Sequence, residues 1–246
     1  MRAPDGTIIS AYELHDLEEC SLIKYDALSV EGMDRIQVCL ELLQEYGFIK
    51  PEENLKETYE KVIGIYNLER DDPEMWKMVW KQQITSLFQM EQQSGIQGIA
   101  LTKPSSVDDL AVLNSVIRLM AQGKDEEQPL VKYARFKHDI NFWYNEMKRD
   151  GLTEEEQRIV EPYFLQSYGV PPSQEQLMKM LMDKDICGFT LAEANDARKI
   201  VGKKQMNKIP ELKEKLFMQC KDSRLAEYVW TTAINPQMGY AFSRLH

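Results

Sequence analysis

The sequence predicts a mainly α-helical protein with a short strand region at its N-terminus. Three observations lead there. Apolar residues recur at helical spacing through most of the chain, helix-capping residues stand in the polar turns between these runs, and segments of extended type occur only near the start. The 246 residues suffice for one large domain or two small ones. With 43% hydrophobic and 28% charged residues the composition is that of an ordinary globular chain, so a core can form without disulfides or structural metals.

The first elements are extended. Thr7 to Tyr12 contains β-branched residues and reads as a strand, and Ser21 to Leu28 reads as a second. Side chains alternate along a strand, which places Leu22, Lys24, Asp26 and Leu28 on one face. Helices follow. Glu31 to Tyr46 sets Ile36, Leu40 and Leu43 on one side and stops at Gly47, a residue suited to a helix C-terminus. Ser105-Ser106-Val107-Asp108 opens a helix carrying Val107, Leu110, Leu113 and Ile117. Leu130 to Lys148 reads as one longer helix rich in aromatic residues. Thr190-Leu191-Ala192-Glu193 has the pattern of a capping box and starts a helix expected to end at Gly202. The expected division is a strand-bearing segment over residues 1–45 and a helical body over 46–246.

Several function classes are excluded. No run approaches ~18 apolar residues, so no membrane span is expected, and the first residues lack the apolar core of a secretory signal. Cys20, Cys39, Cys187 and Cys220 form no C-x-x-C pair, a pattern of reduced thiols in a cytoplasmic protein. No histidine has a partner at metal-ligand spacing, and neither a nucleophile elbow nor a P-loop occurs. A net charge of −10 argues against nucleic acid as a partner if only the sum is considered. The distribution says otherwise. Between Ala197 and Leu216 stand Arg198, Lys199, Lys203, Lys204, Lys208, Lys213 and Lys215, opposed only by Glu211 and Glu214. Acid gathers elsewhere, as at Glu52-Glu53 and Glu154 to Glu156.

Two groups of residues have the chemistry of a site. Asp26, at the end of an apolar strand, is a hard oxygen ligand suited to Mg²⁺, and Lys24 beside it can hold a phosphate. One carboxylate does not make a metal site, and the plainer description of the pair is a surface ion pair worth ~0–1 kcal/mol. Arg198 to Lys204 can clamp phosphate through a guanidinium fork and lysine point charges, or can simply be a solvated basic helix end. Phe142, Trp143 and Tyr144 have faces on which bases could stack, but their spacing also suits core packing, and Met178, Met180 and Met182 read as adaptable core filler.

Taken in order, the segments resemble the C-family bacterial replicative DNA polymerases, the alpha subunit of DNA polymerase III. Ile23-Lys24-Tyr25-Asp26-Ala27-Leu28 is similar to that family's V-K-F-D-F-L-G-L palm motif. Ile84 to Glu91 resembles T-G-V-F-Q-L-E, and Lys103 to Leu110 matches K-P-x-S-x-x-D-L. Arg118 falls on the arginine of R-P-G-P, without the prolines. Arg135 to His138 is like R-K-H, and Tyr168-Gly169-Val170 with Gln174 to Met178 is like Y-G-V-x-x-Y-Q-E-Q-V-M. Gly188 to Lys204 resembles G-Y-S-L-G-E-A-D-L-L-R-R-A-M-G-K-K, and Gly239 to His246 resembles G-Y-G-F-N-K-S-H.

The resemblance implies the C-terminal edge of a palm (1–45) and a helical fingers domain (46–246) of a DNA-directed DNA polymerase of the bacterial cytoplasm or a phage-infected cell. It implies that Asp26 is a metal-binding carboxylate for Mg²⁺ and that Lys24 lies beside the incoming triphosphate. Arg118, Arg198, Lys199 and Lys203 would bind the deoxynucleoside triphosphate, and primer–template DNA would be the other partner. The family's first two catalytic aspartates stand in a P-D-x-D motif that this sequence does not contain, so the remainder of the polymerase, an upstream palm, is an expected partner and the chain alone is expected to be inactive. The alternative is a non-enzymatic helical module of polymerase ancestry that binds DNA or a replication protein. Four positions depart from the family: Lys199 replaces an arginine and loses its fork, Ser173 replaces a tyrosine, and Ser243-Arg244 replaces Asn-Lys.

Overall fold

The computed structural model describes residues 1–22, 31–68, 72–119, 127–170 and 173–243, with backbone alone at residues 14, 15 and 18. The chain forms two compact units, Met1–Asn67 and Leu68–His246. Helices dominate both, and among the described residues there is no β-strand, only one isolated antiparallel bridge between Arg2 and Ile8.

That bridge corrects the expected strand at Thr7 to Tyr12. The segment turns back on its own N-terminus about Gly6, whose φ is +88°. Ala3 N–H donates to Thr7 O at 2.9 Å and Ile9 N–H to Met1 O at 3.0 Å. Among the described residues this short two-stranded pairing has no third strand and no apolar face to cover it, and Ile8 remains exposed. β-branched composition describes a fit to a sheet surface, and no such surface occurs among the described residues. Helix α1 (Leu14–Glu19) follows. The second expected strand begins at Ser21, which closes α1 with φ +58°; its remainder from Ile23, including Lys24 and Asp26, lies outside the described residues.

Helix α2 (Glu31–Glu45) ends as the glycine predicts. Gly47 takes φ +74°, its N–H donates to Gln44 O at 3.0 Å, and Phe48 N–H donates to Leu43 O at 2.9 Å. These two bonds satisfy carbonyls the helix end would leave bare. Helix α3 (Leu55–Ile63) is capped by Asn54 and packs on α2, with Leu40 and Thr58 buried and Gln44 Nε2 donating to Thr58 Oγ1 at 3.0 Å.

The second unit is built on two apolar clusters. The smaller gathers Trp76 and Val79 of α4 (Pro73–Trp80), Ile84, Met90, Ile99 of α5 (Gln93–Thr102) and Leu113 of α6 (Val107–Val116). The α6 start is as expected, with Ser106 accepting from Asp109 N–H at 3.0 Å. The larger cluster draws on α6, α7 (Pro129–His138), α8 (Asn141–Arg149), α9 (Glu154–Phe164), α10 (Gln174–Met182), α11 (Leu191–Gly202), α12 (Ile209–Gln219) and α13 (Ser223–Tyr228).

The single helix expected over Leu130 to Lys148 is two. Asp139 leaves helical geometry (φ −147°, ψ 109°), and its Oδ1 accepts from Asn141 N–H at 2.9 Å, starting α8 afresh. A short carboxylate that competes for backbone donors is a known helix interrupter. The break turns Trp143 inward, where Nε1 donates to Tyr228 Oη at 3.0 Å. Of the three neighbouring aromatics Trp143 is core, Tyr144 is half-buried and Phe142 is exposed under the Arg135 guanidinium. Among the methionines of α10, Met180 is buried, Met178 packs on the core and Met182 is exposed.

The last elements position the site. The α11 capping box forms, with Glu193 N–H donating to Thr190 Oγ1 and Thr190 N–H to Glu193 Oε2, and the helix ends at Gly202. Helix α13 widens into a π-helical stretch (Val229–Ile234) and a 3₁₀ turn (Asn235–Gln237). The chain then runs back across two helices. Gly239 N–H donates to Val201 O at 2.9 Å, and Gln174 N–H donates to Phe242 O at 2.7 Å.

Candidate functional site

Arg198 lies on the α11 face turned toward α10. Its Nε and one terminal nitrogen donate to Asn195 Oδ1 at 3.1 and 2.9 Å, and the other terminal nitrogen donates to Gln174 Oε1 at 3.0 Å. Asn195 stands three residues earlier on the same helix, the spacing at which side chains meet. Gln174 is the first residue of α10 and is held in turn by Phe242 O. These bonds use three of the five guanidinium N–H groups and fix the plane of the fork. The remaining two have no partner among the described residues, which leaves a rigid, half-buried donor pair suited to a phosphate.

Arg118 follows the C-terminal end of α6, where its N–H donates to Ser115 O at 3.2 Å. Its guanidinium lies over the Tyr240 ring, 5.2 Å from the centroid. Arg118 and Arg198 therefore bear on one C-terminal segment, the first through Tyr240 and the second through Gln174 and Phe242. Gly239 at the head of that segment has φ +91°, with the Lys204 side chain against it.

Lys199 and Lys203 do not join this group. One residue of helix turns a side chain by roughly 100°, and both lysines line a groove of about 460 Å³ between α11 and α12, together with Lys208. Glu193, Asp196 and Glu211 line it as well. Lys215 is taken by Glu193 at 2.8 Å, and Lys213 lies over Trp230 and Phe217. The basic run is thus divided into an arginine face, a mixed groove and two lysines occupied by local partners. Glu193 is held near pKa 2, first by the Lys215 ammonium and then by the Thr190 N–H and hydroxyl.

A second constellation joins motifs far apart in sequence. Asp109 Oδ2 accepts from Ser105 N–H at 2.9 Å and from Lys137 Nζ at 2.7 Å. The Lys137 ammonium also lies 5.9 Å from the centroid of the Tyr168 ring. Burial, with the Asp109 carboxylate second, pushes the Tyr168 hydroxyl above its ordinary range. Tyr168 occupies the left-handed region at φ +51° and hands the chain to Gly169 at φ +85°. The arrangement is a polar clasp between α6, α7 and the turn after α9.

Two of the sequence departures have structural work. Ser173 caps α10 by accepting from Gln176 N–H at 3.2 Å, and Ser243 Oγ donates to Glu175 Oε1 at 2.7 Å. Arg118 and Arg198 are candidates from the sequence, but their supports are not. Asn195 was detectable from its spacing to Arg198, whereas Gln174 and Tyr240 reach the arginines only through tertiary contact. Lys24 and Asp26 lie outside the described residues, and among the described residues no group of three or more His, Cys, Asp or Glu side chains could hold a metal ion. No helix among them is long and apolar enough to cross a membrane.

The family model for the bacterial DNA polymerase III alpha subunit finger domain matches residues 49–224. The chain is 38% identical over 250 residues to the probable DNA polymerase YorL of Bacillus subtilis strain 168, covering 100% of this chain and 19% of that protein. The same figures hold for a DNA-directed DNA polymerase of Bacillus phage SPbeta. It is 25% identical over 213 residues to the DNA polymerase III subunit alpha of Aquifex aeolicus, covering 87% of this chain and 16% of that protein. The chain therefore spans less than two thirds of the length of these relatives, and the matched region contains Arg118, Lys137, Gln174 and Arg198. With its helical second unit and its polar motifs brought together as described, the chain belongs to the bacterial DNA polymerase III alpha subunit finger-domain family.

Proposed function

We propose that the chain is the nucleotide-facing part of a DNA-directed DNA polymerase, acting within a larger protein on primer–template DNA and deoxynucleoside triphosphates. The observation that carries this reading is the Arg198 guanidinium, pinned by Asn195 and Gln174 with two N–H groups left to donate. Pinning removes most of the rotamer entropy that a free arginine loses on gripping phosphate. Arg118, braced on Tyr240, adds a second cation on the same segment, while Lys199 and Lys203 meet phosphate along the adjacent groove. Residues 1–45 are the palm edge and 46–246 the fingers in this proposal.

Asp26 is the carboxylate of this chain assigned to a divalent metal ion, Mg²⁺, with Lys24 beside the triphosphate. When bound, the metal pair of such enzymes stabilises the attacking and leaving oxygens together. This chain's own described residues act earlier: they hold the nucleotide's phosphates and orient it for pairing.

The test is steady-state primer extension by the complete polymerase carrying Arg198→Ala. The expected result is a KM for the nucleotide raised roughly tenfold or more, the loss of a charge-assisted contact. An unchanged KM and kcat would overturn the assignment.

A further inference from the structure

Cys187 and Cys220 are 33 residues apart in sequence, yet their Sγ atoms lie 2.6 Å from each other. Cys187 sits in the turn from α10 to α11 and Cys220 is the C-cap of α12. The two segments are docked by other contacts as well: Lys221 N–H donates to Ile186 O at 3.2 Å, and the Lys221 ammonium pairs with Asp185. Backbone and side chains thus hold the thiols together without relying on either sulfur. Cys187 is buried, at 5% exposure, and Cys220 is half-buried.

We propose that Cys187 and Cys220 form a reversible disulfide modification site, with Cys220 as the attacking thiol and Cys187 as the resolving one. The oxidant is a small-molecule disulfide. Cys220 thiolate attacks one sulfur of that molecule, its S–S bond breaks, and one small thiolate leaves. Cys187 then loses its proton to solvent and attacks Cys220 Sγ, forming the internal S–S bond and expelling the second small thiolate. Two protein thiols give up two electrons and two protons, and the small disulfide is reduced to two thiols.

The order of attack follows from access and charge. Solvent reaches Cys220 more readily than Cys187, and the attacking species in such exchange is the thiolate. Either sulfur can donate in the contact between them, and the deeper burial of Cys187 disfavours its thiolate, so Cys220 is the thiol that ionises and attacks first. The bridge would tie the N-terminal approach of α11, the helix that carries Arg198, to the end of α12.

The experiment uses the chain with Cys20→Ser and Cys39→Ser, so that these exposed thiols play no part. The reduced protein is treated with oxidised glutathione and its peptides are mapped by mass spectrometry. The expected product is one cross-linked peptide pair, lighter by two hydrogens, from Cys187 and Cys220. The melting temperature should rise by roughly 5–10 °C. With Cys187→Ser added, a glutathione adduct should accumulate at Cys220, and with Cys220→Ser neither cross-link nor adduct should form. If both thiols of the treated chain are alkylated once it is unfolded in denaturant, the proposal is overturned, as it is by an adduct at Cys220 that persists beside an intact Cys187. The peptide map needs no substitution at either thiol, so it decides the matter even where a variant folds poorly.

Discussion

Lys137 Nζ lies 2.7 Å from Asp109 Oδ2, with both side chains almost withdrawn from solvent at 13% and 9% exposure. The pair closes the seam between α6 and α7, and the same carboxylate oxygen accepts from Ser105. Its loss therefore leaves a buried charge and orphaned donors. Lys137→Met is expected to destabilise the fold by about 3 kcal/mol, measured as a shift in the urea unfolding midpoint. The double variant Asp109→Asn with Lys137→Met should recover part of that loss, because no unpaired charge remains. A double variant as unstable as the sum of the single ones would show that the two residues act independently.

Gly169 tests a different kind of constraint. Its φ is +85°, and a Cβ there would stand 2.5 Å from the Trp143 ring, whose indole is fixed by Tyr228. Gly151 has nearly the same backbone (φ +87°) but open space around it. Gly151→Ala should thus cost only the left-handed strain, ~1–2 kcal/mol. Gly169→Ala should cost that and the displacement of Trp143, for a total of at least about 3 kcal/mol. Equal melting temperatures for the two variants would contradict the close approach.

These examples show where the sequence was readable. Helix ends written in local chemistry were legible: Gly47 closing α2, Ser106 opening α6, and Thr190 with Glu193 opening α11. Each depends on bonds within about six residues. The strand at Thr7 to Tyr12 failed because a strand is defined by a partner, which composition does not supply. The break at Asp139 was missed because hydrophobic spacing continues across it, while a single carboxylate redirects the backbone. In the site, charge pointed to Arg198 and the family resemblance to Arg118, but the division of the basic run into two faces required knowing which neighbours α10 and α12 present. The Cys187–Cys220 approach was hidden for the same reason: the spacing between them carries no local signal.

Glu193 supplies a pH dependence with a definite sign. Its carboxyl is held at about 2, against an ordinary value of 4.5, first by the Lys215 ammonium. A depressed carboxyl stabilises the fold fully above the unfolded value and loses that contribution as pH falls toward the folded one. Glu193→Gln should therefore melt below the parent chain at neutral pH. The gap should begin to close near pH 4.5 and vanish toward pH 2. Added salt should narrow it at neutral pH, since the pair is exposed to screening. A gap that is constant from pH 7 to pH 2 would mean that the carboxylate charge is not what matters at this helix start.

The pinned guanidinium leads to the last expectation, which separates placement from charge. Arg198→Lys keeps the positive charge but cannot bond Asn195 and Gln174 together, because an ammonium lacks the planar fork. In the complete polymerase it should raise the nucleotide KM almost as far as Arg198→Ala does. Gln174→Ala removes one of the pins and leaves the charge in place. Its expected effect is a rise of roughly three- to tenfold in KM with kcat little changed, smaller than the loss of a charge-assisted phosphate contact because only the placement of the fork is lost. If Arg198→Lys instead behaves like the parent enzyme, the site needs only a positive charge, and the bonds from Asn195 and Gln174 serve the packing of α10 against α11 rather than the nucleotide.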